Sequence, residues 1–116
     1  MISDRLFAAE PQAAGQSDVF AAMNWINEPA ASERSGEKLI VRSRAKTDFW
    51  RKTLTGNIVD NGHFFHQTAS GDFTFEARIN GKYAALYDHA GLMIRADAEN
   101  WMKCGTELAE GSATRV

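Results

Sequence analysis

At 116 residues, 44% of them hydrophobic and 24% charged, the chain has room for one domain with one modest core. A net charge of −2 and an isoelectric point near 5.9 give no global basic field and argue against nucleic acid or an anionic membrane as partner. The single cysteine, Cys104, excludes an intrachain disulfide and a cysteine-built zinc cage, no apolar run approaches a membrane span, and the basic-then-apolar order of a secretory leader is missing, so a cytoplasmic protein is expected.

Residues 1–17 stand apart as an N-terminal extension, rich in Ala, Gln and Ser and broken by Pro11 and Gly15. Ser3 to Glu10 has the makings of one or two helical turns with Ser3 as cap, too short to be stable alone. The domain is expected over 18–116. Phe20, Met23, Trp25 and Ile26 are apolar enough for burial, and Asn27-Glu28-Pro29 marks a turn because proline forces its predecessor out of the helical region. Ser32 to Gly36 reads as a polar loop, Lys38 to Arg44 as a strand, Ile58-Val59 as a short strand, and Asp60-Asn61-Gly62 as a turn. His63 to Gln67 is another short strand.

The clearest periodicity follows. From Asp72 to Asn80, Phe73, Phe75, Ala77 and Ile79 alternate with Thr74, Glu76, Arg78 and Asn80, as a strand with one buried face requires. Asn80-Gly81 is a turn signal. In His89 to Ala96 the apolar Ala90, Leu92 and Ile94 share one face; Met93 and Arg95 share the other with His89. Asp97 to Asn100 reads as a four-residue hairpin loop. The last strand, Trp101 to Leu108, places Met102, Cys104, Thr106 and Leu108 opposite Trp101, Lys103 and Glu107. Glu110 to Val116 is a polar tail without a strand pattern. Six or seven short strands and no long helix predict an all-β antiparallel sandwich, with Phe73, Phe75, Ile79, Leu92, Ile94 and Met102 in its core.

Three blocks carry a family resemblance: Lys46-Thr-Asp-Phe-Trp-Arg-Lys-Thr53, Asp60-Asn-Gly-His-Phe-Phe65, and Leu86 to Arg95 followed by Asn100-Trp-Met-Lys-Cys-Gly105. With Trp25-Ile-Asn-Glu-Pro29 they resemble the N-terminal half of a domain family of unknown function whose fungal members are described as regulation-of-enolase proteins. The resemblance covers about residues 18–108 and implies a concanavalin A-like jelly roll of the lectin and glucanase type. It also implies that members continue for roughly as many residues again, so this chain is expected to be half a jelly roll with bare strand edges and apolar faces. A homodimer is the expected remedy, with two chains completing each other.

Candidate chemistry centres on a charged face bearing Glu76, Arg78, Arg95, Trp101, Lys103 and Glu107, with Trp50 as a further aromatic. The resemblance makes such a face a site for carbohydrate or another polyhydroxyl ligand, with Trp101 or Trp50 stacked on a pyranose ring. The same residues also suit a solvated sheet face with cross-strand ion pairs. Glu76 and Glu107 would be the carboxylate pair of a glycoside hydrolase if their strands pair, but the close acidic cluster of the fold's glucanases is missing, and a non-catalytic module is expected. A structural or protein-interaction module that pairs through exposed edges is the alternative from another class. Asp60, His63, His66, Asp88 and His89 include metal-ligand types, yet their alternation sends neighbours to opposite faces, and no metal or cofactor is expected. The basic run Arg34, Lys38, Arg42, Arg44, Lys46, Arg51 and Lys52 holds seven of the 13 basic residues, with Phe49 and Trp50 inside it, but strand alternation and the intervening Glu33, Glu37 and Asp48 scatter it.

Overall fold

Eleven β-strands make up the regular structure in a computed structural model that describes residues 6–11, 18–110 and 112–115, with side chains over 18–110. They are β1 (Leu6–Pro11), β2 (Asn24–Ile26), β3 (Ala31–Ser35), β4 (Lys38–Arg42), β5 (Phe49–Arg51), β6 (Ile58–Asp60), β7 (Phe64–His66), β8 (Ala77–Gly81), β9 (His89–Arg95), β10 (Trp101–Ala109) and β11 (Ser112–Arg115). No helix occurs among the described residues. The fold is all-β, as expected, and every strand pair is antiparallel.

The strands form a four-stranded sheet in the order β3-β4-β1-β8, a three-stranded sheet β11-β10-β9, and the pairs β2-β7 and β5-β6. Three elements depart from the sequence expectations. Leu6–Pro11 is an inner strand between β4 and β8, not a helical turn, because an extended backbone there fills hydrogen bonds on both sides. Ser3, the expected cap, lies outside the described residues. The polar stretches at 31–35 and 112–115 are also strands. Both are edge strands, which need backbone pairing on one side only and so carry no alternating apolar pattern. Conversely, the long strand expected from Asp72 shrinks to Ala77–Gly81, and residues 73–76 are irregular.

Turn chemistry fixes the β9-β10 hairpin. The Asp97 carboxylate accepts from the backbone N–H groups of Glu99 and Asn100, both at 2.8 Å, and Ala96 N–H donates to Asn100 O at 2.9 Å. Within the hairpin Gly91 and Gly105 face each other, and a methyl on either would overlap the neighbouring strand's backbone. A second clamp gathers the turns. Asn27, in a left-handed conformation, donates through Nδ2 to the carbonyls of Asp60 and Gly62 at 3.0 and 2.9 Å. Arg44 N–H donates to His63 Nε2 at 3.0 Å, so the ring carries its proton on Nδ1 and donates to Asn27 O at 2.7 Å.

Phe20, Leu39 and Phe49 are the buried large apolar side chains among the described residues. The core differs from the one the alternation predicts. Phe73, Phe75, Ile94 and Met102 are 55, 45, 57 and 65% exposed, while Ile79 and Leu92 are half-buried. The parity assigned to β9 and β10 is inverted over their central residues. The face that carries Arg95, Trp101 and Lys103 turns inward, because β5 lays Phe49 against it and supplies acceptors for its charges.

Candidate functional site

The inward face of β9 and β10 is built by register. Trp101 pairs with Arg95, Lys103 with Met93, and Glu107 with His89, so alternation stacks these six side chains on one side. Opposite them, Asp60-Asn61-Gly62 holds the start of β5. Asn61 N–H and Gly62 N–H donate to Asp48 O at 3.1 and 2.8 Å, and Asp48 N–H donates to Asn61 Oδ1 at 2.9 Å. Gly62 is required at this place because a Cβ would run into the Phe49 ring. Asp48 and Phe49 are thereby fixed against β10.

Lys103 is the hub. Its ammonium donates to Asp48 Oδ1 at 2.9 Å and to Phe49 O at 2.6 Å, and it lies 3.3 Å from His89 Nε2 and 5.7 Å from the Trp101 ring centroid. His89 Nε2 also lies 3.3 Å from Asp48 Oδ1, and its Nδ1 meets Tyr87 O at 2.8 Å and Glu107 Oε2 at 3.9 Å. Burial pushes the Asp48 carboxyl up, but hydrogen bonds to His89 and Lys103, with their charges, outweigh it and bring it down to about 2. Arg95 lies 5.4 Å over the Phe49 ring, reaches Asp60 at 3.6 Å, and keeps Nη1 buried without a hydrogen-bond partner. Trp101 meets Phe49 edge-on at 6.3 Å.

Of the seven residues singled out in the sequence, Arg95, Trp101, Lys103 and Glu107 come together. The other three lie elsewhere. Trp50 alternates away from Phe49 and donates its indole N–H to Thr53 O at 2.9 Å, closing the β5-β6 hairpin. Arg78 is exposed on β8, and Glu76 is exposed on the irregular stretch before it. Glu76 is on no strand and does not pair with Glu107: β8, which follows it, joins β1, and β10 joins β9 and β11. The metal-ligand residue types are dispersed. Asp60 faces Arg95, His63 bridges Asn27 and Arg44, His66 stacks on Phe64 at 5.1 Å, and Asp88 caps the N–H groups of Ala84 and Ala85. No group of three or more metal-ligating side chains forms among the described residues.

Asp48 and Phe49, which the sequence offered only as parts of the interrupted basic run, are members of this site. The signal for them was the Asp60-Asn61-Gly62 turn, which anchors Asp48 through its backbone. That turn, the Asp48-Phe49 segment and the Trp101-Met102-Lys103 strand also lie in the blocks that carry the resemblance, and the comparison with known families covers all three, matching residues 25–116. The chain belongs to the family described as Protein of unknown function (DUF1349). It is also 39% identical over 89 residues to Regulation of enolase protein 1 of Saccharomyces cerevisiae. That match covers 77% of this chain and 45% of the yeast protein, so the chain spans less than half the length of this curated relative. No solved structure matches. The DUF1349 segment contains the whole Lys103 hub, from Asp48 to Glu107. No helix among the described residues is long and apolar enough to cross a membrane.

Proposed function

We propose that this DUF1349 chain is a non-catalytic β-module that works by association, and that a second copy supplies the layer over the outer face of β9 and β10. The observation that carries this reading is the exposed cross-strand pair Ile94 and Met102, 57 and 65% open to solvent on directly opposed positions. Cys104 is exposed beside them on the same face. A contiguous apolar sheet face of this kind marks an interaction surface. The yeast relative carries more than half its length outside the matched stretch, which leaves room there for a second layer in one chain. A two-fold pair of the present chain supplies an equivalent layer and closes without forming fibres.

A polyhydroxyl ligand on the charged face receives less support, because Lys103 is already engaged by the Asp48 carboxylate and the Phe49 carbonyl and the Arg95 side chain is 12% exposed. Hydrolysis by Glu76 and Glu107 has no cross-strand pairing of the two residues behind it. A regulatory role, such as the name of the yeast relative describes, fits a module that binds and does not turn over a substrate.

Sedimentation velocity across micromolar concentrations tests the reading. A dimer is expected, burying on the order of 2,000 Å² in total. Ile94→Asp with Met102→Asp is expected to give a folded monomer. A wild-type monomer throughout the range, or a dimer indifferent to both substitutions, overturns it.

A further inference from the structure

A groove of about 370 Å³ opens between the β2-β7 pair, β3 and the turn that follows Asp18. Its β2-β7 pair belongs to a different sheet from β9 and β10, and none of its lining residues is in the Lys103 hub. Its floor is aromatic. The Phe65 ring lies between Phe20, at 6.1 Å, and Trp25, at 4.7 Å, so the three rings form one continuous surface. Leu39 closes the bottom. A volume at the low end of ordinary ligand pockets, roughly 300–1,000 Å³, suits a small molecule and not a polymer segment.

The polar wall is preorganised. Asp18 accepts Phe20 N–H on Oδ1 at 3.0 Å and Arg34 Nη1 on Oδ2 at 2.8 Å, tying the turn to β3. Arg34 also lies 5.8 Å over the Phe20 ring, which holds its guanidinium against the floor. One guanidinium N–H group is used by Asp18; the other donors of Arg34, the indole N–H of Trp25 and the hydroxyl of Ser32 have no partner among the described residues. Arg34 and Ser32 share a face of β3 with Leu39 and Val41, their register partners. Glu33 also borders the groove, and alternation directs its side chain to the Ile40 face of β3, opposite to those of Arg34 and Ser32. The groove therefore offers an aromatic surface edged by unfilled donors, and its complement must bring a flat apolar body and an acceptor group.

We infer that this groove binds a small planar aromatic carboxylate, with the ring system on Phe65 and Trp25 and the carboxylate on Arg34. A guanidinium matches a carboxylate in a fork geometry, and aromatic floors favour flat ligands. The site is independent of the association surface on β9 and β10, so either can fail without the other.

The test is titration of the isotopically labelled full chain with 2-naphthoate, followed at the indole N–H resonances in a nitrogen–proton correlation spectrum. Saturable movement of the Trp25 resonance is expected, with binding weaker by about tenfold or more for the neutral 2-naphthalenemethanol, the size expected for loss of one charge-assisted hydrogen bond. Acetate is expected to leave the resonance in place. Arg34→Gln is expected to abolish the preference for the carboxylate while its spectrum remains that of a folded chain; Arg34→Lys, a second variant, should keep part of it. No saturable shift at Trp25, equal binding of the alcohol, or an undiminished preference in both Arg34 variants overturns the inference.

Discussion

Lys103 and Asp48, 55 positions apart in the chain, meet at 2.9 Å between β10 and the start of β5. The contact ties the β5-β6 hairpin to the β9-β10 hairpin, and it decides which face of β10 is interior. A partly buried ion pair is costly to break from one side, because the partner left behind is a poorly compensated charge. Lys103→Met is therefore expected to destabilise the chain by about 2–3 kcal/mol, below the full cost of a stranded charge because His89 still faces Asp48. Chemical denaturation measures it, and a change within the noise of a surface substitution would show that the pair contributes nothing.

The same pair sets an acid limb. The Asp48 carboxyl stands at about 2 in the folded chain, below its ordinary 3.8. A lowered carboxylate contributes stability that is fully present above the unfolded value and is lost as pH falls towards the folded one. The loss is expected between pH about 4 and about 2, and amounts to about 1 kcal/mol once solvent screening is allowed for. Asp48→Asn should flatten that limb of the stability–pH curve. An unchanged slope in the variant would remove Asp48 as its origin.

Arg95 should behave differently from Lys103. Its link to Asp60 is 3.6 Å long, one of its terminal nitrogens is buried without a partner, and Asp60 is largely solvated. Arg95→Met replaces a half-satisfied cation by an apolar chain that still covers Phe49, and is expected to change stability by less than about 1 kcal/mol in either direction. A loss comparable to that of Lys103→Met would contradict this account of the cluster.

Glycine tolerance separates packing from backbone strain. Gly91→Ala places a methyl into the Cys104 carbonyl, and Gly62→Ala places one into the Phe49 ring. Each is expected to cost about 2–4 kcal/mol. Gly71 has a left-handed conformation with open space around it, so Gly71→Ala should cost about 1 kcal/mol from backbone strain alone. Thermal melts of the three variants in that order of severity would support the backbone geometry.

Aromatic truncations test the corrected core. Phe49→Ala is expected to cost about 3–5 kcal/mol, the range for a large buried side chain. Phe75, with nearly half its surface in water, should cost about 1 kcal/mol in the monomer. An equally large loss at Phe75 under dimeric conditions would place that residue beneath the second copy.

The sequence by itself determined the fold class and most of the turns. Asp60-Asn61-Gly62, the Asp97 loop and the short strands around them are local chemistry, since side-chain oxygens, φ preferences and period-two alternation act within a few residues. It also determined that Arg95, Trp101, Lys103 and Glu107 share one face, because strand parity is a local property. Tertiary structure decided which face is inside. Alternation is symmetric between the two sides, and hydrophobicity pointed to Ile94 and Met102; Phe49 and Asp48, brought from as far as 55 residues away, covered the other face and gave Lys103 its acceptors. The edge strands β3 and β11 were decided in the same way, since pairing through backbone N–H and C=O groups leaves no mark on the side chains that sequence alone displays.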